Sequence, residues 1–163
     1  MKHAFGLIAA LMISTAAHAH GVTKGDIEII HPNIPQPAAG AKAAGGYMGI
    51  SNEGTEADRL IAVETEAAGK AELHISEIGD DGVATMRHLP EGIEIPAGDT
   101  VVLERGGLHV MLMGLTGPLT EGDMVKATLV FEHAGKVEME FMVDPPGGED
   151  HSKMDHSDHS TAE

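Results

Sequence analysis

Apolar and polar residues alternate with a period of two along most of this chain. At 137–143, Val137, Met139, Phe141 and Val143 share one face, and at 125–131 Val125, Ala127, Leu129 and Phe131 do the same. Alternation of this kind marks a strand with one buried face. The intervening Glu132-His133-Ala134-Gly135-Lys136 reads as a hairpin connection. The same reading predicts strands at 26–31, 46–52, 59–64, 71–77, 85–88, 93–95, 100–104 and 108–113. Gly, Pro, Asn and Asp punctuate them at 52–55, 79–82, 96–99 and 121–123. No segment carries a helical stripe, and the alanine-rich stretch 38–44, broken by Gly40, is predicted as loop. Many short strands at such intervals predict an all-β, antiparallel Greek-key sandwich or barrel.

The alternation is missing at both ends. Met1-Lys2-His3 is followed by a run of apolar and small residues to Ala17, and Ala17-His18-Ala19 has small residues where a signal peptidase reads. Residues 1–19 are therefore expected to be a signal peptide, with cleavage after Ala19 and His20 as the mature N-terminus. The apolar run is too short to cross a bilayer, and no Cys stands at the junction to take a lipid. Residues 20–146 form the predicted domain. Past Pro145-Pro146-Gly147-Gly148 the chain is mostly Glu, Asp, His, Ser and Thr, so 147–163 is expected to be a disordered acidic tail.

Composition narrows the chemistry. Without the leader, nine basic residues face twenty-six acidic ones, a formal charge of −17 that disfavours nucleic acid and anionic lipid and favours cations. No other stretch is apolar enough to span a membrane. With no Cys in the chain, disulfides, thiolate ligands, thiol nucleophiles and the His₂Cys blue-copper site of electron-transfer proteins are all excluded. Nine His and eight Met remain beside one Tyr, two Phe and no Trp. Met alone is ordinary core filler, so its placement has to decide.

The informative placement is His109-Val110-Met111. On a strand, residues two apart share a face, so one imidazole and one thioether project side by side. Gly106-Gly107 just before them is read as room for a second segment to approach. His74 lies on another predicted strand and Met86 follows the acidic turn at 79–82. Should those strands lie beside the one bearing His109, the four side chains can close round an ion. Thioethers suit Cu(I) and bind Zn(II), Mg(II) or Ca(II) hardly at all, while imidazole is a compatible partner. A neutral His/Met set also avoids the oxidation that a Cys pair would meet outside the cytoplasm.

Glu72-Leu73-His74, Gly82-Val83-Ala84-Thr85-Met86-Arg87, Gly92 to Gly98 and Gly106-Gly107-Leu108-His109-Val110-Met111-Leu112 together resemble the periplasmic copper chaperone family known as PCuAC. Upstream, Gly25 to Ile29, His31-Pro32, Gly46-Tyr47-Met48 and Asp58-Arg59-Leu60 extend the resemblance over nearly the whole domain. It implies a cupredoxin-like β fold, Cu(I) held by His74, Met86, His109 and Met111, and a periplasmic carrier rather than an enzyme. It further implies delivery to the binuclear copper centre of cytochrome c oxidase or to a thiol-containing partner chaperone. Departures from the family pattern are one extra residue in each of the intervals His74–Met86 and Met86–His109, Ile75 and Ala84 where Met is common, and Asn33 where Trp is usual.

Several further residues bear on metal chemistry. His88 shares the face of Met86 and is a further candidate ligand, whereas Met113 is expected in the core and His133 in solvent. In the tail, His151, Met154, His156 and His159 amid carboxylates form a possible Cu(II) site. A mature N-terminal His20 would chelate Cu(II) through its amine and imidazole, as in copper monooxygenases, but the chain lacks the aromatic surface and nearby axial Tyr such an enzyme needs. A copper-buffering protein with the same ligands and no dedicated acceptor is the main alternative.

Overall fold

The computed structural model describes residues 21–79 and 82–147. The expectations for the leader and His20, and for the tail with His151, Met154, His156 and His159, lie outside the described residues. Within them there is no helix. Eleven strands form the fold: β1 Val22–Lys24, β2 Ile27–Pro35, β3 Ala43–Asn52, β4 Asp58–Glu64, β5 Ala68–Ile78, β6 Ala84–His88, β7 Ile93–Ile95, β8 Thr100–Leu103, β9 Leu108–Leu115, β10 Met124–Phe131 and β11 Lys136–Asp144. The all-β expectation stands, and ten of these strands were legible in the alternation. The eleventh, β1, is three residues long and pairs with β2 through Val22↔Ile29.

Strand order runs β6-β5-β9-β3-β2-β11-β10-β4-β7, with β1 on β2 and β8 on β3. Every pairing is antiparallel except β11 with β2, where Val143 lies beside Ile34. β3 joins the two halves: Ala43 to Gly46 pair with β9, while Met48 to Ser51 pair with β8. Ala43 and Ala44, expected in a loop, are strand instead. They pair with Met113 and Leu112 of β9, and just beyond them a Cβ on Gly46 would stand 3.0 Å from the Phe141 ring. β2 likewise continues beyond its expected end, passing through a register shift between Ile30 and Asn33 where His31 takes a φ of 46°.

The inward faces supply one core. Phe131, Phe141, Ile27, Ile29, Ile50, Leu60, Leu112 and Leu129 are almost wholly removed from water, and each such side chain contributes roughly 1.5–3 kcal/mol of transfer free energy. One buried carboxylate is part of the frame. Asp58 accepts the backbone N–H groups of His133 and Ala134 at 2.9 Å and of Arg59 at 2.7 Å. Burial pushes its pKa up, but these backbone donors outweigh that and leave it below the usual carboxylate value. His133 thus serves the β10–β11 hairpin through its backbone.

Candidate metal centre

The ladder β6-β5-β9 has one face in the core and one turned outward. Leu73, Val110 and Leu112 point inward and are buried. Glu72, His74, His109 and Met111 therefore point outward, since neighbours along a strand alternate. Register arranges them as a grid. His74 stands opposite His88 on β6 and opposite His109 on β9. Met86 lies opposite Ser76, and Met111 opposite Glu72. His74 is thus the centre, with Met86 and Met111 as its diagonal neighbours on either side. Diagonal positions on a sheet are about 7–8 Å apart, within reach of long side chains.

Rings cross the sheet in a row. The His74 ring centre is 5.6 Å from that of His88 and 5.9 Å from that of His109, and Tyr47 on β3 follows at 6.4 Å from His109. Two imidazoles sharing one ion at about 2.0 Å per bond place their ring centres roughly 5–6 Å apart, so the His74–His109 spacing fits such an ion. Exposure rises along the row: His109 is buried, His74 largely so, and His88 on the edge strand is half exposed. Among the described residues no three His, Asp or Glu side chains converge closely enough to hold an ion by themselves. An ion here would need the thioethers.

Hydrogen bonds leave one nitrogen open on each central ring. His109 Nδ1 donates to the Gly107 carbonyl at 3.0 Å, which leaves Nε2 as the lone-pair nitrogen. His74 Nε2 meets Glu72 Oε2 at 2.9 Å, and His74 Nδ1 is buried with no partner. Glu72 also pairs with Lys70 through Oε1, and His88 Nε2 stands 3.9 Å from that oxygen. Lys70 first, and His74 second, hold the Glu72 pKa down to about 2. A buried imidazole nitrogen without a protein partner is costly, and its lone pair is a donor of the kind that suits a soft metal ion.

A family model for LpqE-like proteins ("Putative lipoprotein LpqE-like") matches residues 27–143, which is nearly the whole β domain. The chain belongs to the LpqE-like family. Among curated relatives of this LpqE-like protein is "Putative lipoprotein Lxx21020" of Leifsonia xyli subsp. xyli, 35% identical over 94 residues; the match spans 58% of this chain and 56% of that relative, little over half its length. Solved structures it resembles include PCuAC domains. The copper-bound PCuAC domain from PmoF2 is 30% identical, with a TM-score of 0.67 over 78% of this chain and 99% of that one. The apo PCuAC domain from PmoF1 is 31% identical, with a TM-score of 0.66 over 78% and 100%. CuI-DR1885 from Deinococcus radiodurans is 26% identical, with a TM-score of 0.58 over 80% and 85%. The resemblance to PCuAC read from the sequence is thereby established.

In this LpqE-like chain the four main candidates share one outward face. His74 and His109 are in ring contact, Met111 is one step along from His109, and Met86 is one step along from His88 and well exposed. It is His88, rather than Met86, that stands directly across from His74. Met113 lies on the outward face with Met111 and is only partly buried, not in the core as expected. The glycines before His109 work differently from the expectation. A Cβ on Gly106 would meet nothing within 4 Å; its φ of +80° serves the turn, and Gly107 contributes its carbonyl. The close approach is at Gly45, opposite Met111, where a Cβ would sit 2.5 Å from the Tyr47 hydroxyl. Glu72 and Tyr47 were not singled out as site residues, although Glu72 and His74, two apart on a predicted strand, carried the signal for a shared face.

Proposed function

We propose that this LpqE-like protein is an exported copper carrier that holds one Cu(I) between His74, His109, Met86 and Met111. The observation that carries the reading is the outward grid centred on His74. Two imidazoles each keep one nitrogen free at a spacing suited to a shared ion, and a thioether flanks the pair on each side. Soft thioethers select Cu(I) over the hard divalent ions. The copper-bound PmoF2 domain and CuI-DR1885 support the same cargo. Carriage, rather than storage or catalysis, suits a ligand set that ends on an exposed edge strand.

Copper held by neutral His and Met ligands can pass by exchange to a thiolate acceptor, which binds Cu(I) more tightly. The acceptors of this proposal are the binuclear copper centre of cytochrome c oxidase or a thiol-containing chaperone, met in the periplasm after removal of residues 1–19. His151, Met154, His156 and His159 in the tail, and the amine and imidazole of His20, are assigned to looser Cu(II) capture, separate from the main Cu(I) site. Deleting 149–163 is then expected to lower Cu(II) uptake and leave Cu(I) affinity unchanged.

Anaerobic Cu(I) titration against a competing chelator tests the main site. One ion per chain is expected, with sharp loss of affinity in His74→Ala and a smaller but clear loss in Met86→Ala. Stoichiometry that follows the tail instead of these residues would overturn the assignment.

A further inference from the structure

Glu72 lies beside the proposed ligands without being one of them, and its contacts constrain how they bind. An ionised carboxylate only accepts hydrogen bonds. With Glu72 Oε2 2.9 Å from His74 Nε2, that nitrogen must carry the ring proton. A backbone carbonyl is equally an acceptor only, so the Gly107 oxygen 3.0 Å from His109 Nδ1 requires the proton there. The two central rings are therefore held in opposite tautomers. The nitrogens they leave free are Nδ1 on His74, which is buried and unpartnered, and Nε2 on His109.

We infer that Glu72 is a positioning residue that fixes the His74 ring, so that copper is taken by Nδ1 of His74 and by Nε2 of His109. This rests on the copper reading above. The asymmetry makes geometric sense. Nδ1 is the nitrogen nearer the backbone, so His74 draws the ion down over the grid centre, while the far nitrogen of His109 reaches across from the neighbouring strand. Met86 and Met111, diagonal to His74, then approach from opposite sides. Glu72 is itself kept from the ion: Oε2 is taken by His74, and Oε1 by Lys70. Its place two residues before His74 on the same strand face holds the pair together without any loop. Carboxylates in this position orient imidazole ligands and raise their basicity, and losing one typically costs a metal site 10–100-fold in affinity.

The test uses the mature full-length protein and Cu(I) alone. Two-bond ¹H–¹⁵N spectra of the imidazoles in the metal-free protein should show His74 protonated on Nε2 and His109 on Nδ1. On Cu(I) addition the His74 Nδ1 and His109 Nε2 resonances should move. Glu72→Ala should release the His74 tautomer and weaken Cu(I) binding by about 10–100-fold, and Glu72→Gln, whose amide oxygen still accepts from Nε2, should restore most of the affinity. Circular dichroism confirms that each variant is folded. Stoichiometric Cu(I) bound through His74 Nε2, or a folded Glu72→Ala with unchanged affinity and tautomer, would overturn the role of Glu72 and leave the copper site standing. Absence of any Cu(I) binding by the wild-type protein would sink both.

Discussion

The two faces of the β5–β9 ladder share a backbone and little else. Inward, Leu73, Val110 and Leu112 are excluded from water and belong to the hydrophobic core. Outward, one residue along in each case, stand Glu72, His74, His109 and Met111, with a buried nitrogen that no protein group satisfies. The inward face gains stability from every atom it buries. The outward face leaves a polar group unsatisfied, which costs stability until a ligand fills it. A sheet separates these demands through its pleat alone, so chemistry can be placed one Cβ away from the core without thinning it.

That separation can be attacked from each side. The largest effect is expected inward. Leu112→Ala should cost about 2–5 kcal/mol in a denaturant titration of the metal-free protein, while the Cu(I) affinity of the folded fraction stays as in wild type. Outward, His74→Ala loses the bond to Glu72 and should shift stability by about 1 kcal/mol, less than Leu112→Ala, yet weaken Cu(I) binding by more than ~100-fold, beyond what loss of a supporting group alone would do. A large loss of stability in that variant would erase the division between the faces.

A smaller effect belongs to Asp58, far from the grid. Asp58→Ala leaves the N–H groups of His133 and Ala134 without their acceptor and should cost about 1–3 kcal/mol, read as a fall in Tm, with copper affinity untouched. Its lowered pKa fixes the sign with pH: the contribution is full above the ordinary carboxylate range and is lost as pH falls through the depressed folded value. Asp58→Asn should therefore flatten the acid limb of a Tm–pH curve. The smallest effect separates two neighbours on β6. Met86→Ala should lower Cu(I) affinity by roughly tenfold, at the low end for a metal site losing a contributing group, and His88→Ala should not. The reverse result would make His88 the ligand and Met86 an exposed bystander.

Much of this was legible in the alternation of residues. Strand identity is a local property, and so is the shared face of His109 and Met111, two apart on one strand. The meeting of His74 with His109 is not local, because it depends on which residue of β5 falls opposite which residue of β9. Register also explains why His88 emerged as the direct neighbour of His74: the β5–β6 hairpin sets that pairing, and moving it by two would put Met86 there instead. Ala43 and Ala44 misled for the opposite reason. Small residues look like loop in one dimension, but here they are strand because Ala43 and Ala44 pair with Met113 and Leu112 of β9, a partner that only the fold supplies.

The parallel pairing of β11 with β2 has a consequence in time. The last strand lies inside the sheet, between β2 and β10, so the first long strand and the final one are neighbours more than a hundred residues apart along the chain. Contacts that distant form late and slowly, because closing so long a loop precedes any gain from the contact. Until residues 136–144 have emerged, β2 lacks its neighbour and the sheet has a gap at its middle. Closure of the sheet is therefore a property of the completed domain, since β11 is the strand that joins β2 to β10.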